Sequence, residues 1–260
     1  MKTLLCLLSC AIISHAAEAP ALSAKDLAAR LSALQQDGSS FVRLKLEAKP
    51  AGAPKIALQL QIKQRRTAKS TEVVYQVLWP KERMGESVLL KQSSNGAASG
   101  SVFTPPNTLR ALDAAQMKDA LFGSDLAYAD VLENFFAWEN QTVVGTEVVD
   151  RVPCQILESK PGKGQRSAYS GVRTWVDVRR LVPLRIEKYQ SSGAVARRID
   201  TRDVANDDMG RSVPANLTVS TPPRGSTTNL EGSKLKHGVA LTDREFTPEG
   251  LKDMAAPRSE

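Results

Sequence analysis

Hydrophobic and polar residues alternate with period two over most of the chain. Val42, Leu44 and Leu46 alternate with Arg43, Lys45 and Glu47, and Ile56, Leu58, Leu60 and Ile62 alternate with Ala57, Gln59, Gln61 and Lys63. This pattern predicts half-buried antiparallel strands joined through Ala51-Gly52-Ala53-Pro54. Glu72 to Trp79 makes a third strand that is apolar on both faces. Further strands are predicted over about 87–92 and 99–104, with Ser93-Ser94-Asn95-Gly96 as the turn. After Trp138 the alternation resumes, placing strands at about 139–149, 152–160, 169–178, 182–190, 194–204, 214–220 and 226–237.

The departures from period two predict helices. Ser23 is placed to cap a helix with Asp26 at N3, and Leu22 and Leu27 have the spacing of a hydrophobic staple. Leu27, Leu31 and Leu34 follow at helical spacing up to Asp37-Gly38, which predicts a helix over about 24–36. Thr108 to Phe136 is rich in apolar residues without alternation and is interrupted by Gly123-Ser124-Asp125, so two short helices, or a helix and a structured loop, are expected there. Thr247-Pro248 reads as the cap and first residue of another short helix. About a dozen strands in two runs imply a mainly β protein whose one large antiparallel sheet must curl, with helices covering its apolar concave face. No composition break divides the chain, so residues 17–260 are read as a single domain. Alternation places Leu44, Leu58 and Leu60 on the inner face, under a lid carrying Leu27 and Leu31 from the first helix and Leu126 and Phe135 from the insertion.

Residues 1–16 change the expected location. Lys2, an apolar run from Leu4 to Ile13 and the small-x-small ending Ser14-His15-Ala16 read as a secretory signal peptide cleaved after Ala16. Leu7-Leu8-Ser9-Cys10 only loosely resembles a lipoprotein box, because the apolar run continues through Ile12 and Ile13. Removing this segment leaves 244 residues and a net charge of +6, with Cys154 and His237 as the remaining cysteine and histidine. That set supplies neither a disulfide nor a zinc site. His237 lies between Lys236 and Gly238 and reads as an exposed side chain, and Cys154 alternates with Val152 and Ile156 and reads as a buried, inert thiol. The paired acids have structural explanations: Asp125 fits a helix N-cap, and Asp207-Asp208 a turn before Gly210. No catalytic residue, metal site or cofactor is assigned.

The net charge is concentrated in one stretch. Lys160 to Arg211 holds twelve basic and six acidic residues. The simplest reading is a solvated outer sheet face, and a second is a patch including Arg179, Arg180, Arg197 and Arg198 that faces anionic membranes. Basic residues are not interleaved with aromatic ones, which argues against a nucleic-acid partner.

Four segments in order carry a family resemblance: Leu121-Phe122-Gly123-Ser124-Asp125-Leu126-Ala127-Tyr128-Ala129-Asp130-Val131, Val152-Pro153-Cys154-Gln155-Ile156-Leu157, Thr174-Trp175-Val176-Asp177 and Leu181-Val182-Pro183-Leu184-Arg185-Ile186-Glu187. Together they resemble the bacterial outer membrane lipoprotein-sorting family of the LolA-like superfamily of periplasmic carriers, over about residues 70–250. The resemblance implies an unclosed antiparallel β-barrel of about 10–12 strands, with short helices as a lid over an apolar cavity. It also implies a non-catalytic carrier that holds lipoprotein acyl chains or other lipid in the periplasm, touches membrane surfaces transiently and meets inner- and outer-membrane transport partners. The sequence departs from the family pattern at Leu126, where an aromatic is usual, and at Ala129, where an acid is usual. Two other readings use the same barrel: an envelope-stress sensor or adaptor acting through protein contacts, and a structural envelope scaffold with a filled core.

Overall fold

The computed structural model describes residues 21–35, 38–67, 69–93 and 96–255. The segment read as a signal peptide lies outside the described residues. Thirteen antiparallel strands form one sheet: β1 (Gly38–Lys49), β2 (Ile56–Arg66), β3 (Ser70–Trp79), β4 (Ser87–Ser93), β5 (Ala98–Thr104), β6 (Thr108–Leu112), β7 (Asn140–Val149), β8 (Val152–Lys160), β9 (Gly171–Asp177), β10 (Val182–Tyr189), β11 (Val195–Asn206), β12 (Ser212–Thr221) and β13 (Ser226–His237). Their spatial order is β6-β5-β4-β3-β2-β1-β13-β12-β11-β10-β9-β8-β7, and the sheet does not close. Register shifts occur in six of the twelve strand pairs, and such bulges increase the local twist that curls a large sheet.

The topology explains the non-alternating middle of the chain. β6 and β7 are the two edge strands, so residues 113–139 must travel from one edge of the curled sheet to the other. The expected helices are not formed there. Thr108–Leu112 pairs with β5 as a thirteenth strand, and four one-turn 3₁₀ segments follow, at Gln116–Lys118, Leu121–Gly123, Ala129–Val131 and Phe135–Ala137. A left-handed Phe122 (φ 54°) and Gly123 (φ 82°) reverse the chain between them. The crossover is irregular because its apolar residues follow the contour of the sheet rather than a helical repeat.

The two α-helices lie where the sequence places them. α1 spans Ala24–Gln35, with Ser23 Oγ accepting from Asp26 N at 3.1 Å, and α2 spans Pro248–Ala255. α1 buries Leu27, Ala28 and Leu31 against Phe135, Phe136, Trp138, Leu157, Val172 and Val176. α2 covers the opposite, convex face, where Leu251 and the preceding Phe246 pack on Val74, Leu89 and Phe103. This accounts for β3 being apolar on both faces: Val73 and Val77 belong to the concave cluster, Val74 to the convex one. Among the described residues, no helix is long and apolar enough to cross a membrane.

Candidate functional site

The concave face is built from rows of residues in register across the strands. One row runs Ile56, Ala48, Thr228, Val219, Ile199, Ile186, Thr174, Leu157, Val143. Beside it run Leu58, Leu46, Leu230, Leu217 and Thr201. The crossover closes over the β1 to β5 end of these rows: Leu58 and Leu60 are each 1% exposed and share a cluster with Leu121, Phe122 and Leu132. α1 and Phe135 close over the β7 to β9 end. Leu27, Leu31, Leu126 and Phe135 therefore all lie in the covering layer, with Leu126 only half-buried at its margin. Between the two covers, Leu44, Ile186, Ile199, Leu217 and Leu230 remain half-buried. The interior is largely packed, and a recess of about 420 Å³ beside Leu44, Leu60 and Leu78 is also lined by Arg43, Lys45, Gln59 and Glu231.

Polar side chains on the sheet hold the crossover in place. Asp125, expected as a helix N-cap, instead accepts from Ser226 Oγ and from Thr228 Oγ1 (2.8 Å) on β13, while its own N–H donates to Thr228 Oγ1 at 2.9 Å. The preceding Gly123 approaches β2 so closely that a Cβ there would stand 2.8 Å from Ile56 Cδ1. Asp130, 1% exposed, meets Lys188 Nζ at 2.8 Å and Arg197 Nε at 2.9 Å, and accepts from Tyr169 OH at 2.7 Å. Burial alone would raise the Asp130 pKa, but the Lys188 and Arg197 charges and these hydrogen bonds hold the carboxyl below the usual carboxylate range. Glu133 stands 3.9 Å from Lys188 and has the opposite shift, because burial outweighs that more distant cation. Arg66, at the end of β2, donates to the Val131 carbonyl at 2.6 Å, and Gln141 Nε2 donates to the carbonyls of Phe135, Phe136 and Trp138.

The sequence contained a signal for part of this anchor. In Arg185-Ile186-Glu187-Lys188, period two puts Lys188 on the face of Ile186, and in Arg197-Arg198-Ile199 it puts Arg197 on the face of Ile199. The water-face reading fits Arg185, which pairs with Asp200, and Arg198, which pairs with Asp200 and Glu187. It does not fit Lys188 and Arg197. The four arginines considered as a membrane patch are therefore separated: Arg179 and Arg180 sit exposed at the β9–β10 turn, Arg198 lies on the convex face, and Arg197 points into the concave one.

Little conventional chemistry is available. Cys154 is buried among Val149, Trp175, Val182 and Leu184, and burial pushes its thiol up to about 11. His237 is not the exposed side chain expected: it is mostly buried and lies against Asp208 (2.5 Å) and Arg211 (3.0 Å). Asp207, Asp208 and His237 have metal-ligand spacing, but Asp207 is already bonded to the N–H groups of Met209 and Arg211 and to Arg211 Nε, as the expected turn requires. A guanidinium at that position opposes a cation.

A family model with the description Uncharacterized protein matches residues 57–253. No curated protein is significantly similar in sequence. Among solved structures, a DUF1329 family protein from Desulfovibrio piger is 21% identical with a TM-score of 0.80, over 88% of this chain and 97% of that one. A domain named for outer membrane lipoprotein sorting, from Vibrio parahaemolyticus, is 18% identical with a TM-score of 0.78, over 88% and 98%. A LolA superfamily protein from Nitrosomonas europaea is 18% identical with a TM-score of 0.68, over 87% and 98%. At these identities the likeness is one of fold.

Proposed function

We propose that the chain, which belongs to the family whose model spans residues 57–253 and is similar in fold to a LolA superfamily protein, is a non-catalytic carrier holding an acyl chain of a lipoprotein or other lipid against its concave face. The observation that carries this reading is the strip formed by Leu44, Ile186, Ile199, Leu217 and Leu230, apolar and half-buried between two separate covers. An acyl chain laid along the strip would displace the margin of the crossover at Leu126 and, as the cover lifts, reach Leu58 and Leu60. Each buried CH₂ contributes ~0.8 kcal/mol, so one long chain supplies on the order of 10 kcal/mol before ordering costs. Breaking the Asp130 contacts offsets part of that gain, which favours reversible capture.

This reading places the protein in the periplasm after cleavage at Ala16, with passing contact to membranes and to inner- and outer-membrane transport partners. Intact-mass measurement of the exported form tests the cleavage, and an adduct on Cys10 would refute it. A second reading, a scaffold with a filled core, draws on the close packing of Leu58 and Leu60 under the crossover. A fluorescent fatty-acid probe separates the two. The carrier reading expects wild-type protein to bind the probe, and Leu217→Glu with Leu230→Glu to abolish binding while leaving the protein folded. Failure of both wild type and Asp130→Ala, whose cover is loosened, to bind the probe would establish the scaffold.

A further inference from the structure

A second, polar site lies where the ends of β2, β3 and β4 approach the end of the crossover and the β8–β9 loop. It is a recess of about 390 Å³, lined by Arg66, Lys69, Arg166, Glu133, Gln35 and Asn134 among others. Cations outnumber acids within this group. Arg66 has the Val131 carbonyl as its partner and no carboxylate, and neither Lys69 nor Arg166 has a carboxylate within ion-pair distance among the described residues.

Two residues of this lining also hold buried acceptors. Asn134 donates an amide N–H to Ser32 Oγ at 3.0 Å, and its Oδ1 has no hydrogen-bond partner among the described residues. Among the described residues, Gln35 Oε1, at the end of α1, has none either. Buried polar atoms without partners are uncommon in folded proteins, and two of them in one recess beside an uncompensated guanidinium describe the complement of a ligand. The cations require an anion, and the amide oxygens require hydrogen-bond donors on the same molecule.

We propose that this recess binds a phosphate ester that also carries hydroxyl or ammonium donors, of the glycerophosphate or phosphoethanolamine type. The phosphate would lie among Arg66, Lys69 and Arg166, and the donors would meet Gln35 and Asn134. A recess of this volume accommodates such a group. Its lining is polar, and its Lys69 and Arg166 are exposed, so binding of a phosphate there requires neither an acyl chain nor lifting of the crossover. It therefore stands or falls separately from the carrier reading.

The test is calorimetric titration of the whole exported protein with glycerol 3-phosphate, inorganic phosphate and dihexanoyl phosphatidylglycerol below its micelle concentration. Glycerol 3-phosphate is expected to bind more tightly than inorganic phosphate. Lys69→Glu with Arg166→Glu, both at exposed positions, is expected to weaken binding about tenfold or more without moving the unfolding midpoint. Asn134→Leu should remove the preference for glycerol 3-phosphate over inorganic phosphate. Tighter binding of the short-chain phospholipid, lost in the same double variant, identifies a lipid headgroup as the source, and equal binding identifies a free phosphate ester. Absence of binding by all three at millimolar concentration, binding unaffected by the double reversal, or equal affinity for both soluble phosphates would overturn the proposal.

Discussion

Replacing Asp130 with alanine strands two cations on the concave face. Lys188 is 2% exposed and Arg197 is 17% exposed, and both point at the carboxylate from strands β10 and β11. Removing one partner of a buried charge pair typically costs about 3–5 kcal/mol, because the remaining charge is left desolvated. The lower half of that range is expected here, since Glu133 stands 3.9 Å from Lys188 and Arg197 also donates to Thr221 Oγ1 at 3.3 Å. For a chain of this size each kcal/mol moves the unfolding midpoint by about 2–4 °C, so Asp130→Ala should melt roughly 6–16 °C lower. Urea unfolding followed by tryptophan fluorescence measures this, with Trp138 reporting from the cluster that includes the end of the crossover. Lys188→Met alone leaves Asp130 paired with Arg197 and should cost less, and the double variant should show coupling within ~0.5–3 kcal/mol. The pH dependence follows from the lowered pKa of Asp130. Its stabilisation is fully present above the usual carboxylate range and is lost as pH falls through its depressed folded pKa, so wild type and variant should converge only in strong acid. A cost below about 1 kcal/mol, or no coupling to Lys188, would show that the network does not hold the crossover.

Glu133→Gln should stabilise the protein at neutral pH, because burial raises the glutamate pKa and its contribution is lost as pH rises through that value. The gain should vanish below the ordinary glutamate range, as melting curves across pH would reveal. Ser23→Ala removes the acceptor for Asp26 N and should cost about 1 kcal/mol, read by denaturant unfolding. Charge reversal at Arg179, Arg180 and Arg198 is expected to reduce salt-sensitive co-sedimentation with anionic vesicles while leaving the protein folded. Arg197→Glu should instead lower the midpoint, since it sets a second acid against Asp130. Vesicle binding indifferent to salt and to the three reversals would mean that those side chains only solvate the sheet.

Local pattern was sufficient for most of the framework. Period-two and short apolar runs located twelve of the thirteen strands, and Ser23, Asp26 and Leu27 located α1, because each depends on neighbours within a few residues. The same alternation assigned Leu44, Leu58 and Leu60 to the inner face, where they lie. Alternation of cations with apolar residues also suggested that Lys188 and Arg197 lie outside, although the same period of two puts them on the faces of Ile186 and Ile199. A charged residue on an apolar face is informative only once its partner is known, and Asp130 lies 58 residues from Lys188 in sequence.

What the sequence by itself determined was therefore the order of twelve strands and two α-helices, the inner face of β1 and β2 and the shortage of catalytic side chains. Tertiary structure decided the rest. The crossover became a strap of 3₁₀ turns because the two edge strands it joins lie at opposite ends of an open sheet. Asp125 became an anchor rather than a helix cap because Ser226 and Thr228, a hundred residues later, lie beneath it. Arg66, Gln35 and Asn134 are unremarkable in sequence, and they meet around one recess only because the curled sheet brings the ends of distant strands together. Periodicity is a property of adjacent residues, whereas charge pairing and unmet hydrogen bonds depend on which surfaces folding brings into contact.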